Sequence, residues 1–115
     1  DNDTLSAIVA RLVKADLLII LSDIDGFYNG NPRENKSAKL LPIVREITPE
    51  IEQYAGGEGT RRGTGGMITK LAAAKIAMDN GINMVLANGK DPEIIMDIMA
   101  GKEVGTLFLA KKADK

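Results

Sequence analysis

Leu17-Leu18-Ile19-Ile20-Leu21, preceded by Asp16 and closed by Ser22-Asp23, is an unbroken apolar run between polar boundaries. A strand covered on both faces reads this way, because neither set of alternating side chains meets water. Upstream, Leu5, Ile8, Val9, Leu12 and Val13 fall at helical spacing, with Arg11 and Lys14 opposite. Residues 3–15 are therefore expected to form a helix that packs this stripe on a neighbour. Downstream, Asp25-Gly26 and Asn29-Gly30-Asn31-Pro32 mark a long, turn-rich connection.

The alternation continues to the end of the chain. Leu40–Val44 is expected to be a short strand, and Thr48-Pro49-Glu50 opens a helix with an N-cap and a proline at the first helical position. Met67–Asn80 reads as a helix stopped by Gly81, and Asn83-Met84-Val85-Leu86-Ala87 as a second buried strand. Asp91-Pro92-Glu93 caps a further helix with Ile94, Ile95, Ile98 and Met99 facing inward and Gly101 ending it. Val104–Leu109 is the last strand. Helices alternating with buried strands define an α/β architecture, a mainly parallel sheet sandwiched by helices. The tail Lys111-Lys112-Ala113-Asp114-Lys115 reads as a solvated end. A helix-capping cluster, Asp1-Asn2-Asp3, stands first with no strand before it. The expectation is a partial domain whose N-terminal half lies elsewhere.

Composition narrows the chemistry. With 115 residues, 44% hydrophobic and 27% charged, the chain has the make-up of one soluble domain at most. A net charge of −1 supplies no basic field for nucleic acid. There is no cysteine and no histidine, so disulfides, thiolate or imidazole metal ligands and histidine bases are all excluded. Catalysis would fall to Lys, Arg, Asp and backbone amides, which suits phosphoryl transfer. No apolar run approaches the length of a membrane span and no signal peptide opens the chain, so a cytoplasmic protein is the expectation.

The second decisive stretch is Gly56-Gly57-Glu58-Gly59-Thr60-Arg61-Arg62-Gly63-Thr64-Gly65-Gly66-Met67-Ile68-Thr69-Lys70. Glycines that allow close backbone approach run straight into a helix start, where unpaired N–H groups and the dipole favour an anion. A lysine in the first helical turn opposes the dipole unless an anion is near. A mobile surface loop is the plain alternative. No Walker A pattern and no Gly-x-Gly-x-x-Gly fits the run. With few apolar anchors between Ala55 and Met67, the loop is expected to be poorly ordered without a ligand.

Ligands of open α/β sheets collect beyond the carboxyl ends of the strands. Ser22-Asp23, the glycine run and Asp1-Asn2-Asp3 lie at such positions. Asp23 and Asp25 either coordinate a cation or cap turns, the commoner role of Asp. Asp1, Asn2 and Asp3 are good N-cap residues, although two carboxylates in three positions exceed what one cap needs. Arg61 and Arg62 either touch phosphates or face solvent. Phe27 and Tyr28 either line an adenine pocket or anchor their loop.

Asp1-Asn2-Asp3-Thr4-Leu5-Ser6-Ala7, Leu21-Ser22-Asp23-Ile24-Asp25-Gly26-Phe27-Tyr28 and Gly63-Thr64-Gly65-Gly66-Met67-Ile68-Thr69-Lys70-Leu71 together strongly resemble the amino acid kinase family. Within it they resemble the members that phosphorylate the side-chain carboxylate of L-glutamate in the first step of proline synthesis. Val104-Gly105-Thr106-Leu107-Phe108 resembles the last strand of their kinase domain. Members acting on acetylglutamate, aspartate, carbamate or uridylate share the fold with different versions of these motifs.

The resemblance implies ATP + L-glutamate → L-glutamyl 5-phosphate + ADP, with Mg2+ carried by the ATP phosphates rather than by a protein metal site. It implies that residues 1–115 are the C-terminal, nucleotide-binding part of the kinase domain. Ser22 and Asp23 would contact the nucleotide, while Thr64, Gly65, Gly66, Met67, Ile68, Thr69 and Lys70 would wrap its phosphates. Lys70 would stabilise the transferred phosphoryl group, Asp3 would orient the lysines around it, and Asn2 with Asp1 would hold glutamate. The implied partners are the N-terminal half of the kinase domain and further copies in a homo-oligomer, with no nucleic acid or membrane. The family's N-terminal glycine loop and second catalytic lysine are absent from this stretch, so these residues alone should be inactive. Asn31-Pro32 stands where Asp-Pro is commoner, and many relatives continue into a small RNA-binding-like (PUA) domain.

Overall fold

The computed structural model describes residues 2–32, 34–56 and 65–111. In chain order it contains α1 (Asn2–Leu12), β1 (Leu17–Ser22), β2 (Ile43–Val44), α2 (Pro49–Tyr54), α3 (Gly65–Asp79), β3 (Asn83–Asn88), α4 (Ile94–Met99) and β4 (Thr106–Phe108). The four strands form one sheet in the order β1-β3-β4-β2. β1 runs parallel to β3 from Leu17↔Asn83 to Ser22↔Asn88, and β2 is parallel to β4. β4 is antiparallel to β3, pairing Leu86 with Thr106 and Met84 with Phe108. The sheet is mixed, with parallel pairs outnumbering the antiparallel one.

Side chains along β3 alternate between two cores, as the period of a strand requires. Met84 and Leu86 join Ile20, Phe27, Phe108, Met78 and the alanines of α1 and α3 on one face. Val85 and Ala87 join Ile98 on the other, flanked by Leu17, Ile19, Ile94 and Leu107. Helices thus cover both faces: α1 and α3 one, α4 the other. Phe27 and Phe108 are fully buried with ring centroids 6.0 Å apart and planes tilted 55°. That geometry adds about 0.5–1.5 kcal/mol to the burial of two large side chains.

Two helical expectations change. The apolar stripe of α1 is not what α1 buries: Leu5, Val9, Leu12 and Val13 are exposed, whereas Ala7 and Ala10 are buried. α1 lies against α3 through alanine faces, Ala7 and Ala10 joining Ala73, Ala74 and Ala77 in one core. In α4, Ile98 is buried and Ile94 half-buried, but Ile95 and Met99 face solvent. A helix of 6 residues has only one narrow side to place on the sheet. Its start also differs, because the Asp91 carboxylate accepts from the Glu93 amide while no side chain caps α4 itself.

Other boundaries move little. Leu40 stands outside β2, in an isolated bridge to Tyr28. Thr48 caps α2 as its sequence demands, its hydroxyl oxygen accepting from the Ile51 amide at 3.2 Å. Gly81 ends the α3 turn at φ 75°, a conformation that costs other residues strain.

One buried residue joins the two arms of the long connection after β1 to the sheet. Thr106, fully buried at the start of β4, accepts from the Phe27 amide at 2.8 Å and donates to the Leu41 carbonyl at 2.6 Å. A hydroxyl can do both at once. Gly105, at φ 67°, lets the chain pass against β3, where an added Cβ would collide with the Leu86 carbonyl oxygen.

Candidate functional site

α1 precedes β1 and α3 precedes β3, and these two strands are parallel. Both helices therefore begin at the edge where the strands end. Asn2 and Asp3 open α1, Gly65 and Gly66 open α3, and Ser22 and Asn88 end the two strands. The topology gathers at one edge residues that are up to 86 positions apart, taking Asn88 and Asn2.

The centre of this edge is an ion pair. Lys70 Nζ donates to Asp3 Oδ2 at 3.1 Å, with 17% and 20% of the two side chains exposed. Thr69 Oγ1 lies 3.2 Å from the same carboxylate oxygen and 2.7 Å from the Gly66 carbonyl, so its single proton serves one acceptor at a time. α3 starts at Gly65, earlier than its sequence suggests, which moves Lys70 from the first to the second turn. Its side chain nevertheless returns toward the helix start: a Cβ added to Gly66 would meet Lys70 Nζ at 3.9 Å. Helical side chains lean toward the N-terminus, which brings the ammonium group back to where the free amides are.

The charge balance follows. A lysine near a helix start is opposed by the dipole, and Asp3 offsets that cost. Asp3 itself sits in the first turn of α1, where a carboxylate is favoured. Asn2 is exposed beside it, its carbonyl accepting from the Ser6 hydroxyl at 2.8 Å.

At the ends of the strands, Ser22 Oγ accepts from the Ile24 amide at 3.3 Å and lies 3.4 Å from Asp23 Oδ1. Ser22 and Asp23 line an open cleft of about 610 Å3 together with Leu21, Asn88, Gly89 and Lys90. Sequence reading missed the Asn88-Gly89-Lys90 side of this cleft. The signal was there, since a polar residue and a glycine close the second apolar run just as Ser22-Asp23 closes the first.

Among the described residues, no three acidic side chains converge as a metal cage. Asp25 instead accepts from the Asn88 side-chain amide at 3.0 Å. Phe27 is a core anchor packed on Phe108. Tyr28 lines a neighbouring cavity of about 40 Å3 with Ile24, Tyr54 and Met67.

Of the expected site residues, Asn2, Asp3, Ser22, Asp23, Gly65, Gly66, Met67, Ile68, Thr69 and Lys70 lie along this edge or in the first turns of α3. Ile68 points away, half-exposed, into a groove with Ile47, Ala55 and Leu71. Asp1, Thr64, Arg61, Arg62 and most of the glycine run lie outside the described residues, as does the expectation about that run's order.

A mixed sheet with helices on both faces thus carries, at the edge where β1 and β3 end, a lysine folded over a glycine-led helix start and an aspartate clamping it. The chain belongs to the amino acid kinase family, whose sequence pattern matches residues 1–88. It is 64% identical over 114 residues to a glutamate 5-kinase of Clostridium perfringens, covering 99% of this chain and 42% of that protein. It is 56% identical over 112 residues to a glutamate 5-kinase of Geobacter sulfurreducens, covering 97% of this chain and 30% of that protein. The chain thus spans less than half the length of these relatives. Among solved structures, isopentenyl phosphate kinase of T. acidophilum superposes with a TM-score of 0.68 at 27% identity, over 94% of this chain and 39% of that one. Uridylate kinase of Archaeoglobus fulgidus does so with 0.68 at 28% identity, over 92% and 45%.

Proposed function

We propose that this chain is the nucleotide-binding portion of a kinase that transfers the γ-phosphoryl group of ATP to the side-chain carboxylate of L-glutamate, yielding L-glutamyl 5-phosphate and ADP. The Asp3–Lys70 pair at the start of α3 carries the reading. Phosphoryl transfer asks little covalent chemistry of a protein and depends on positioning and charge stabilisation. Lys70 neutralises negative charge on the transferred group, helped by the backbone amides of the first turn of α3. Asp3 keeps the ammonium group aimed along the ligand edge, and Asn2, exposed beside it, binds glutamate. Ser22 and Asp23 receive the nucleoside end in the open cleft.

Mg2+ enters with the nucleotide. It retains waters and takes phosphate oxygens readily, so it does not require an all-protein cage. In an enzyme of the relatives' length, the remainder of the kinase domain would cover the exposed Leu5, Val9 and Leu12 of α1 and Val13 just beyond it. It would also supply the other groups that surround the phosphates.

The test is a graft of this segment into the Clostridium perfringens relative, assayed for ADP release with L-glutamate, acetylglutamate and aspartate. Glutamate-dependent turnover well above that with the other acids is expected. Turnover confined to another acid, or none with glutamate, would overturn the substrate.

A further inference from the structure

The last matched pair of the parallel strands β1 and β3 is Ser22 and Asn88, so Asn88 is the lateral neighbour of the turn that follows β1. Two hydrogen bonds tie the two strand ends together, and a third, within the end of β3, orients the Asn88 amide. The Gly89 amide donates to the Ser22 carbonyl at 2.8 Å. Asn88 Nδ2 donates to Asp25 Oδ1 at 3.0 Å, and Asn88 Oδ1 accepts from the Lys90 amide at 2.8 Å. The amide has only one orientation that satisfies both neighbours, because the Lys90 N–H can only donate and a carboxylate accepts. The approach is also close, since a Cβ added to Gly89 would stand 2.8 Å from Leu21 Cβ.

We propose that Asn88 is a positioning residue for the nucleotide: its side chain clamps the Ser22–Asp25 turn to the end of β3 and so holds Ser22 and Asp23 in the geometry that meets ATP. This rests on the nucleotide reading of the cleft given above. Asn88 acts through Asp25 and the turn, on a wall of the cleft shared with Gly89 and Lys90. Loosening the turn weakens the nucleotide's hold and leaves both the Asp3–Lys70 pair and Asn2 where they are. The signature is therefore a change confined to ATP.

The test uses the same full-length graft with three variants: Asn88→Ala, Asn88→Asp, and Asn88→Asp combined with Asp25→Asn. Losing a hydrogen bond to a charged group at a partly exposed site should raise the KM for ATP about five- to tenfold, with kcat and the KM for glutamate within about twofold. Asn88→Asp sets two carboxylates against each other and should do at least as much damage. Adding Asp25→Asn reverses donor and acceptor while keeping an acceptor for the Lys90 amide, and should restore the ATP KM to within about twofold.

An unchanged ATP KM in Asn88→Ala would overturn the proposal. So would a rise shared equally by ATP and glutamate with a lowered Tm, or a swap that restores nothing. Binding of trinitrophenyl-ATP, measured alongside, separates the two readings. Nucleotide binding without glutamate turnover would overturn the substrate, and the binding constants of the three variants would then decide the role of Asn88. No nucleotide binding in the unsubstituted graft would overturn both.

Discussion

Asp3 and Lys70 meet at 3.1 Å across 67 positions of sequence, and this contact joins the first turn of α1 to the second turn of α3. Each residue has a local reason to stand where it does only in part. Asp3 suits a helix start, whereas Lys70 opposes one. Together they form a pair four-fifths buried, with Thr69 against the same carboxylate oxygen. The ammonium group is held at a helix entrance rather than released to solvent.

Replacing Lys70 with alanine should lower kcat by about 100- to 1,000-fold in the full-length graft, the scale of losing one group that stabilises transition-state charge. The fold should persist, because the pair stands outside both apolar cores and Asp3 keeps Thr69 and some solvent contact when the ammonium group is gone. Steady-state rates beside a thermal melt check both halves. Unimpaired turnover would remove Lys70 from the chemistry.

Asn2→Ala should raise the glutamate KM more than the ATP KM, since Asn2 lies exposed at the start of α1, beside Asp3. Paired saturation curves for the two substrates decide it. The reverse ordering would reassign Asn2 to the nucleotide.

Thr106→Val keeps shape but removes the acceptor for the Phe27 amide and the donor to the Leu41 carbonyl. Leaving buried groups unpaired costs about 1–3 kcal/mol, which urea unfolding would read as a lower midpoint. A change under about 0.5 kcal/mol, the level of surface substitutions, would mean that water replaces both bonds.

The Tyr54 hydroxyl donates to Glu50 Oε2 at 2.9 Å, one helical turn away. That hydrogen bond, then desolvation and the carboxylate's charge, raise the tyrosine pKa above its ordinary 10.0. A folded-state pKa above the unfolded one stabilises fully below pH 10 and is lost as pH climbs through the folded value. Glu50→Ala should lower one of the two tyrosinate absorbance transitions. The stability gap between it and the unsubstituted chain should narrow above pH 10. Coincident tyrosinate titrations in both proteins would contradict the contact.

Much of the fold was legible because its signals are local. The unbroken apolar run Leu17–Leu21, the Thr48-Pro49 cap and Gly81 each act within a few residues, and the structure places a strand, a helix start and a helix end there. The stripe of α1 misled for the same reason: periodicity reports which side is apolar, not whether a neighbour covers it. Alanines won the α1–α3 contact because flat, small faces let two helices lie close, leaving Leu12 and Val13 in solvent. Asn88 was passed over because its partners, Asp25 and Ser22, are neighbours only once β1 and β3 are paired.

By itself the sequence determined the order of helices and strands, the absence of any thiol or imidazole from this stretch, and a glycine-led helix start of the kind that favours an anion. Tertiary structure alone decided that β4 runs against β3, that Asp3 reaches Lys70, and that Asn88 braces the turn after β1. The division is physical. Caps, turns and apolar periods are settled over one or two helical turns, whereas strand direction and the meeting of distant charges depend on which faces the whole chain must bury together.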